Sequence, residues 1–259
     1  MRQFVKRRGR PAPGSIPEAL DMFRAEVRFY REIAPVVGVR VPACHRAEIT
    51  PDGTALVLED LSDWAPGADP VAHAQVLSGL HRRWAGTAPA RWPWLRPVGA
   101  AVDLVGALYD RTWPRLAERA DLPGPVRVLG NRLVGRLPEA VRQVRSAGPP
   151  TLVHGDSSAR NVRTGTDGVI ALLDWEDVSA APGSVDLAWL LLSSVPAPRW
   201  DEVAAAYGDC AGLVTVLPAV VVQGLLTVAG TAEGSAEARG WAERLAEAER
   251  RLAGDNLDH

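Results

Sequence analysis

The sequence predicts an α+β fold, with strands gathered at the N-terminal end and helices dominating the rest of the chain. Three observations carry this. Short runs of strand character lie at 2–7, 45–50 and 55–60, all within the first sixty residues. Two more regions, 151–154 and 161–173, interrupt the later chain in the same way. Elsewhere apolar residues recur at helical spacing between Pro- and Gly-rich breaks.

Each element has a local reason. Residues 2–7 (RQFVKR) read as a strand, and the Gly/Pro-rich RRGRPAPGS ends it. Ser15 followed by Glu18 is a capping-box signal, and Pro17 suits a first helical turn. Leu20, Phe23, Val27 and Tyr30 then repeat at helical spacing until Pro35 and Gly38. PDGT joins 45–50 and 55–60 as a hairpin turn. Asp69 and Pro70 open a helix to about Trp84, and the Pro/Trp-rich 85–98 reads as loop. Helices are expected at 101–120 and 125–147, then a strand at 151–154. Asn161–Thr164 and Val169–Leu173 form a hairpin around TGTDG, and everything after Gly183 reads as helices. The apolar run Leu213–Val228 falls short of the ~18–20 residues that span a bilayer. Pro218, Gln223 and Gly224 interrupt it, so it reads as a buried helix.

Composition narrows the function classes. The 259 residues are 47% apolar, enough for a sizeable core and too many for a disordered chain. With 29 basic against 31 acidic residues, the chain is no generally basic nucleic-acid binder. Two cysteines, Cys44 and Cys210, make neither a disulfide framework nor a zinc spacing, and the basic start has no apolar signal core behind it. A cytoplasmic setting without membrane insertion is the expectation. Of the 29 basic residues only Lys6 is a lysine. Alone among arginines, it marks a candidate position that arginine cannot fill, against ordinary chance.

The most informative segment runs from His154 to Asn161 (HGDSSARN), with Asp174 beyond the next hairpin. The hairpin folds Asp156, Asn161 and Asp174 back towards one point. Asn and Asp oxygens suit Mg²⁺, which keeps few protein ligands and leaves room for phosphates. A further carboxylate beside the metal can take a proton from an attacking hydroxyl. Together these are the parts of a phosphoryl-transfer site.

These residues resemble the HxDxxxxN…D signature of the aminoglycoside phosphotransferase and choline-kinase-like family, small-molecule relatives of the protein kinases. The likeness extends to Val185–Trp189 (VDLAW), to Ala55–Leu61 (ALVLEDL) as a hinge strand, to Phe23–Glu26 with Phe29 and Tyr30 as an N-lobe helix, and to Phe4-Val5-Lys6 as a nucleotide-lysine strand. The resemblance implies a two-lobed protein-kinase-like fold, with a small N-lobe over about 1–61 and a larger, mainly helical C-lobe over about 62–259. It also implies roles. Lys6 binds ATP phosphates and Glu26 pairs with it. The backbones of Glu59 and Leu61 meet the adenine edge, with Leu58 guarding the pocket behind. Asp156 is the catalytic base or hydroxyl-positioning group, Asn161 and Asp174 hold Mg²⁺, and His154 and Asp186 brace the loop. Helical geometry agrees on Glu26, which flanks the apolar face, whereas Glu32 points away.

Plainer alternatives stand beside these roles. Glu26 could be a solvated charge, His154 a core histidine and Asp186 a helix cap. Trp175 and Trp189 read as core rather than substrate platforms. Arg160 reads as a loop-bracing ion pair more than a phosphate contact.

The chain departs from the family pattern at its start. No strand pair with a glycine-rich loop precedes Lys6, so the N-lobe sheet is expected to be truncated. A start inside a longer protein, a minimal lobe with weak ATP affinity, and lost catalysis are the three readings. The intact set below Lys6 favours a competent kinase fold. The expected substrate is a small-molecule hydroxyl, on an aminoglycoside-like antibiotic or a choline-like metabolite. Glu176 and Asp177 are the candidate carboxylates for a cationic acceptor, with Glu233 and Glu237 weaker ones. A pseudokinase or partner-binding module, and a peptide Ser/Thr kinase, are the competing functions. The oligomeric state is not set by the sequence.

Overall fold

A computed structural model of the chain describes residues 2–255. Strand β1 (Gln3–Gly9) leads into the short helix α1 (Ile16–Ala19) and then α2 (Met22–Arg28), which continues as a π-helical turn over Phe29–Ile33. Strands β2 (Cys44–Thr50) and β3 (Gly53–Glu59) complete a three-stranded antiparallel sheet of order β1-β3-β2. β1 is therefore an edge strand, as the sequence leads one to expect. Phe4 and Val5 remain about half exposed on it. The expected single helix after Ser15 is two. Ser15 does cap α1 through the Glu18 N–H, but Asp21 then takes a left-handed φ of 46° and restarts the chain as α2. Aspartate is one of the few L-residues that adopts this conformation at modest cost.

The second lobe begins with the two-residue strand β4 (Ala65–Pro66) and helix α3 (Pro70–Trp84), which Asp69 caps through the N–H groups of Val71 and Ala72. The Pro/Trp-rich stretch expected to be loop holds a short helix, α4 (Ala88–Arg91), and a two-residue strand, β5 (Arg96–Pro97). Helix α5 (Val102–Ala117) falls where expected. The expected helix 125–147 is broken into α6 (Gly124–Leu133) and α7 (Leu137–Val144), because Gly135 at φ 65° turns the chain between them.

Strands β6 (Pro150–Val153), β7 (Val162–Thr164), β8 (Ile170–Leu172) and β9 (Ser179–Pro182) make two small sheets, β4-β7-β8 and β5-β9-β6. Helices α8 (Ser184–Ser194), α9 (Trp200–Tyr207), α10 (Leu213–Ala229) and α11 (Ala236–Asp255) close the lobe. α10 is the apolar run of the sequence. Val216, Leu217, Val221 and Leu225 bury it against α7 and α8, and no helix among the described residues is long and apolar enough to cross a membrane.

One stack joins the lobes. Phe29 lies flat on Trp175, centroids 4.0 Å apart and planes within 9°. Trp175 is fully buried and also contacts His154, at 4.5 Å. The N-terminal helix is thus fixed to the segment just after Asp174. Such a filled aromatic site is worth about 3–5 kcal/mol against truncation to Ala.

Candidate active site

Register on the first sheet places the lysine. Phe4 lies opposite Leu58 and Lys6 opposite Leu56. Directly opposed side chains share a face, and Leu56 and Leu58 face the core. Lys6 therefore projects inward, where its Nζ meets Glu26 Oε2 at 2.7 Å, Asp174 Oδ1 at 2.6 Å and Glu176 Oε2 at 3.2 Å. Arg8, two residues on and on the same face, reaches Glu176 at 3.2 Å. Burial pushes Glu26 up to about 7, against the pull of Lys6. Burial would lower Lys6, but Glu26 and Asp174 outweigh it and raise the ammonium above its ordinary value. A compact ammonium with three rotatable donors suits three converging carboxylates better than a planar guanidinium does. That is a physical reason for one lysine among arginines.

The loop after β6 is gripped from behind. Asp186 is fully buried in the first turn of α8, whose N-cap is Gly183, so it does not cap the helix. Its carboxylate accepts from the backbone N–H groups of His154 (2.7 Å) and Gly155 (2.9 Å) and from His81 Nε2 at 3.1 Å. Burial alone would raise its pKa; the His81 bond and the other donors reverse this and hold it below the carboxylate range. Leu173 O can only accept, so His154 Nε2 donates to it at 2.7 Å. The Asp156 N–H then donates to His154 Nδ1 at 3.3 Å. Gly155 sits at φ 86°, and a side chain there would collide with the backbone of Asp177.

Asp156 is thereby presented with both oxygens engaged. Trp189 Nε1 donates to Oδ1 at 2.6 Å and Arg160 to Oδ2 at 2.7 Å. Burial would raise this carboxyl, but Arg160 and Trp189 hold it ionised, below its usual range. Asn161 donates Nδ2 to Asp156 O at 2.9 Å, so its oxygen is the atom it offers outward. The β7–β8 hairpin pairs Val162 with Leu172, and Leu173 N–H bonds Asn161 O at 2.8 Å. Asn161 and Asp174 are brought together this way. Asp174 holds a left-handed φ of 60°, a strained position of the kind found at functional sites.

One cleft of about 560 Å³ between the lobes collects Lys6, Glu26, Leu58, Glu59, Leu61, Asn161 and Asp174. The Glu59 carboxylate is turned aside onto Arg40 (2.5 Å) and the Ala43 N–H (3.0 Å). The two candidate acceptor carboxylates part company. Glu176 faces Lys6 and Arg8, whereas Asp177 lies 3.8 Å from Arg96 and is pushed up to about 6 by burial. Glu233 lines a separate cleft with Arg111, Arg115 and Arg119. Trp189, which the sequence marks as core, is buried, yet it also positions Asp156. Nothing in the sequence singles out His81, Arg40 or Arg96, because no local spacing links them to their partners, 19 to 105 residues away.

A sheet-and-helix lobe over a helical lobe, with a lysine–glutamate pair, a braced Asp loop and an Asn/Asp pair at the seam, defines a protein-kinase-like phosphotransferase fold. The phosphotransferase enzyme family profile matches residues 2–220 of the 259, and the chain belongs to that family. Among curated proteins, no sequence matches it. Solved structures match in fold. An aminoglycoside phosphotransferase of Streptomyces rimosus, solved with ADP and streptomycin, is 17% identical over 85% of this chain and 86% of its own, at a TM-score of 0.55. The choline kinase LicA of Streptococcus pneumoniae is 16% identical over 97% and 86%, at 0.56. An aminoglycoside phosphotransferase of Alicyclobacillus acidocaldarius is 15% identical over 99% and 86%, at 0.57.

Proposed function

We propose that the chain transfers the γ-phosphoryl group of ATP, with Mg²⁺, to a hydroxyl of a small molecule. The observation that supports this most is the interlobe cleft, where side chains from five separate stretches of sequence meet beside Asp156. Two of the solved relatives were crystallised with ADP and AMP, which agrees with nucleotide use.

The residues fit the group they would hold. Asn161 and Asp174 offer hard oxygen donors, the set that suits Mg²⁺. Glu26, Asp174 and Glu176 converge on Lys6, with Arg8 on Glu176. Asp174 meets Lys6 through Oδ1 and its side chain is 39% exposed, so it can also face a cation in the cleft. Bound Mg²⁺ would supply charge neutralisation on the phosphates. Lys6, freed from Asp174, would bind the phosphates while Glu26 keeps it in place. Leu58, Glu59 and Leu61 would border the adenine.

Asp156 would take the proton of the acceptor hydroxyl. The acceptor oxygen forms its bond to the γ-phosphorus as the bond to the β-phosphate oxygen breaks, and ADP leaves with that electron pair. Trp189 keeps Asp156 aimed, and the largely exposed Arg160 can release it. A reducing cytosol, where ATP is supplied, suits the unpaired Cys44 and Cys210. In Asp156→Asn, acceptor-dependent ADP release should fall by roughly a thousandfold, within the range for a lost general base. Its Mg·ATP affinity should stay near that of the parent chain. Turnover at the parental rate in that variant would remove Asp156 from the chemistry.

A further inference from the structure

A second cavity, which shares no lining residue with the Lys6 cleft, adjoins the catalytic loop at Gly155. It holds about 470 Å³ and reaches Gly155, immediately before Asp156, and Asp177. That size is typical of a small-molecule site. Its walls are mainly aliphatic, with Ile16 and Leu20 from the first lobe and Val105, Val141, Ala219 and Leu226 from α5, α7 and α10; Ser179, Gln223 and Thr227 are its neutral polar groups. Among its described lining residues only Arg96 and Asp177 carry charge. They face each other at 3.8 Å, and Arg96 also donates to the carbonyls of Leu20, Glu176 and Val178. The lining therefore has no net charge, and Asp177 is its one carboxylate.

That composition decides between acceptor chemistries. A polycationic sugar would leave several ammonium groups against aliphatic walls, each needing a partner that the walls do not supply. An apolar molecule would gain from every wall. The cleft holding Arg111, Arg115 and Arg119 contains no residue of the Asp156 loop, so it does not compete for the role.

We infer that the phosphate acceptor is an uncharged, predominantly apolar alcohol, seated in this cavity with its hydroxyl towards Asp156. This rests on the phosphotransfer reading above and names the substrate class of the same site. The balance is unchanged: the alcohol oxygen bonds to the γ-phosphorus, ADP departs, and the alcohol proton goes to Asp156.

The test uses the full chain and two groups of probes: decanol, geraniol and a hydroxysteroid against kanamycin and streptomycin. Binding is followed by calorimetry and turnover by ADP release. At least one apolar alcohol should bind with a negative heat-capacity change and stimulate ADP release, and the two sugars should do neither. Ala219→Phe, which places a ring in the cavity, should weaken that alcohol roughly tenfold or more, the loss of a few buried methylenes. A cooperative urea transition in Ala219→Phe separates filling from misfolding. Turnover of a polycationic sugar with the alcohols inert would overturn the acceptor class while leaving phosphotransfer intact. Absence of alcohol binding, or binding indifferent to Ala219→Phe, would overturn the site. If the chain bound no Mg·ATP, the phosphotransfer reading would fall first, and the alcohol titration would still judge the cavity.

Discussion

The two sides of the Asp156 loop are built on opposite electrostatic terms. Behind it, Asp186 is fully buried and its oxygens are taken by His154 N–H, Gly155 N–H and His81. Burial works against that charge and the donors overcome it. In front, Lys6 carries three carboxylates, and burial wins at Glu26, pushed up to about 7. The rear is a completed brace that holds the loop before any ligand arrives. The front is an open cluster, exposed at Asp174, that a cation could join. A loop that must not move and a cleft that must accept charge call for these two solutions.

Removing the brace should have the largest effect on the fold. Asp186→Ala strands two backbone N–H groups and His81 in the interior. We expect it to lower unfolding free energy by about 3–5 kcal/mol, the scale for breaking a buried charged network, as measured by urea denaturation. A loss under about 1 kcal/mol would mean that the loop holds its shape without Asp186.

Acid and base should then separate the two sides. On the brace side, His73 in α3 is buried with Nε2 unpartnered, and burial first, then nearby His154, lower it to about 4, against the pull of Asp186. The unfolded chain binds this proton at 6.5 and the folded chain does not. Stability is therefore lost as pH falls from 6.5 towards 4, by about 3 kcal/mol. Glu26 has the opposite sign. Its folded pKa is raised from 4.5 to about 7, so its contribution is full below 4.5 and lost as pH rises through about 7. The two slopes oppose each other in the parent chain. Relative to the parent chain, the denaturation midpoint across pH 4–7 should tilt towards loss in acid in Glu26→Gln and towards loss in base in His73→Phe. Parallel profiles in both variants would contradict the contrast between the sides.

A smaller effect comes from the residue that spans them. Trp189→Phe keeps the ring in the core and deletes the 2.6 Å bond to Asp156 Oδ1. A charge-assisted hydrogen bond is worth about 1.5–3 kcal/mol, so kcat should drop roughly tenfold to hundredfold, with KM for ATP little changed. Equal loss in KM would point to disturbed packing instead of a misplaced base.

Much of this architecture is legible in the sequence, for physical reasons that differ by element. Lys6 and Glu26 are paired through the family resemblance, and the helical wheel, which favours Glu26 over Glu32, agrees. Asp156, Asn161 and Asp174 can be grouped because one hairpin folds them together. The kinks at Asp21 and Gly135 escape a sequence reading because the apolar period runs straight through both positions, and only a backbone angle distinguishes them. The Phe29–Trp175 stack and the Arg96 strut join residues far apart in sequence. No local pattern encodes such contacts; packing of the finished lobes does. The split between Glu176 and Asp177 is also out of reach, since adjacent residues in a tight 3-10 turn face different ways.

If the Lys6 side awaits a metal-bound nucleotide, the three carboxylates around it should make ATP binding depend on the metal. Calorimetric titration of the chain with ATP, with and without Mg²⁺ and in parallel on Asp174→Asn, puts this to the test. We predict binding that requires Mg²⁺ in the parent chain and is lost in the variant. ATP binding of equal strength without Mg²⁺, or undiminished in Asp174→Asn, would contradict it.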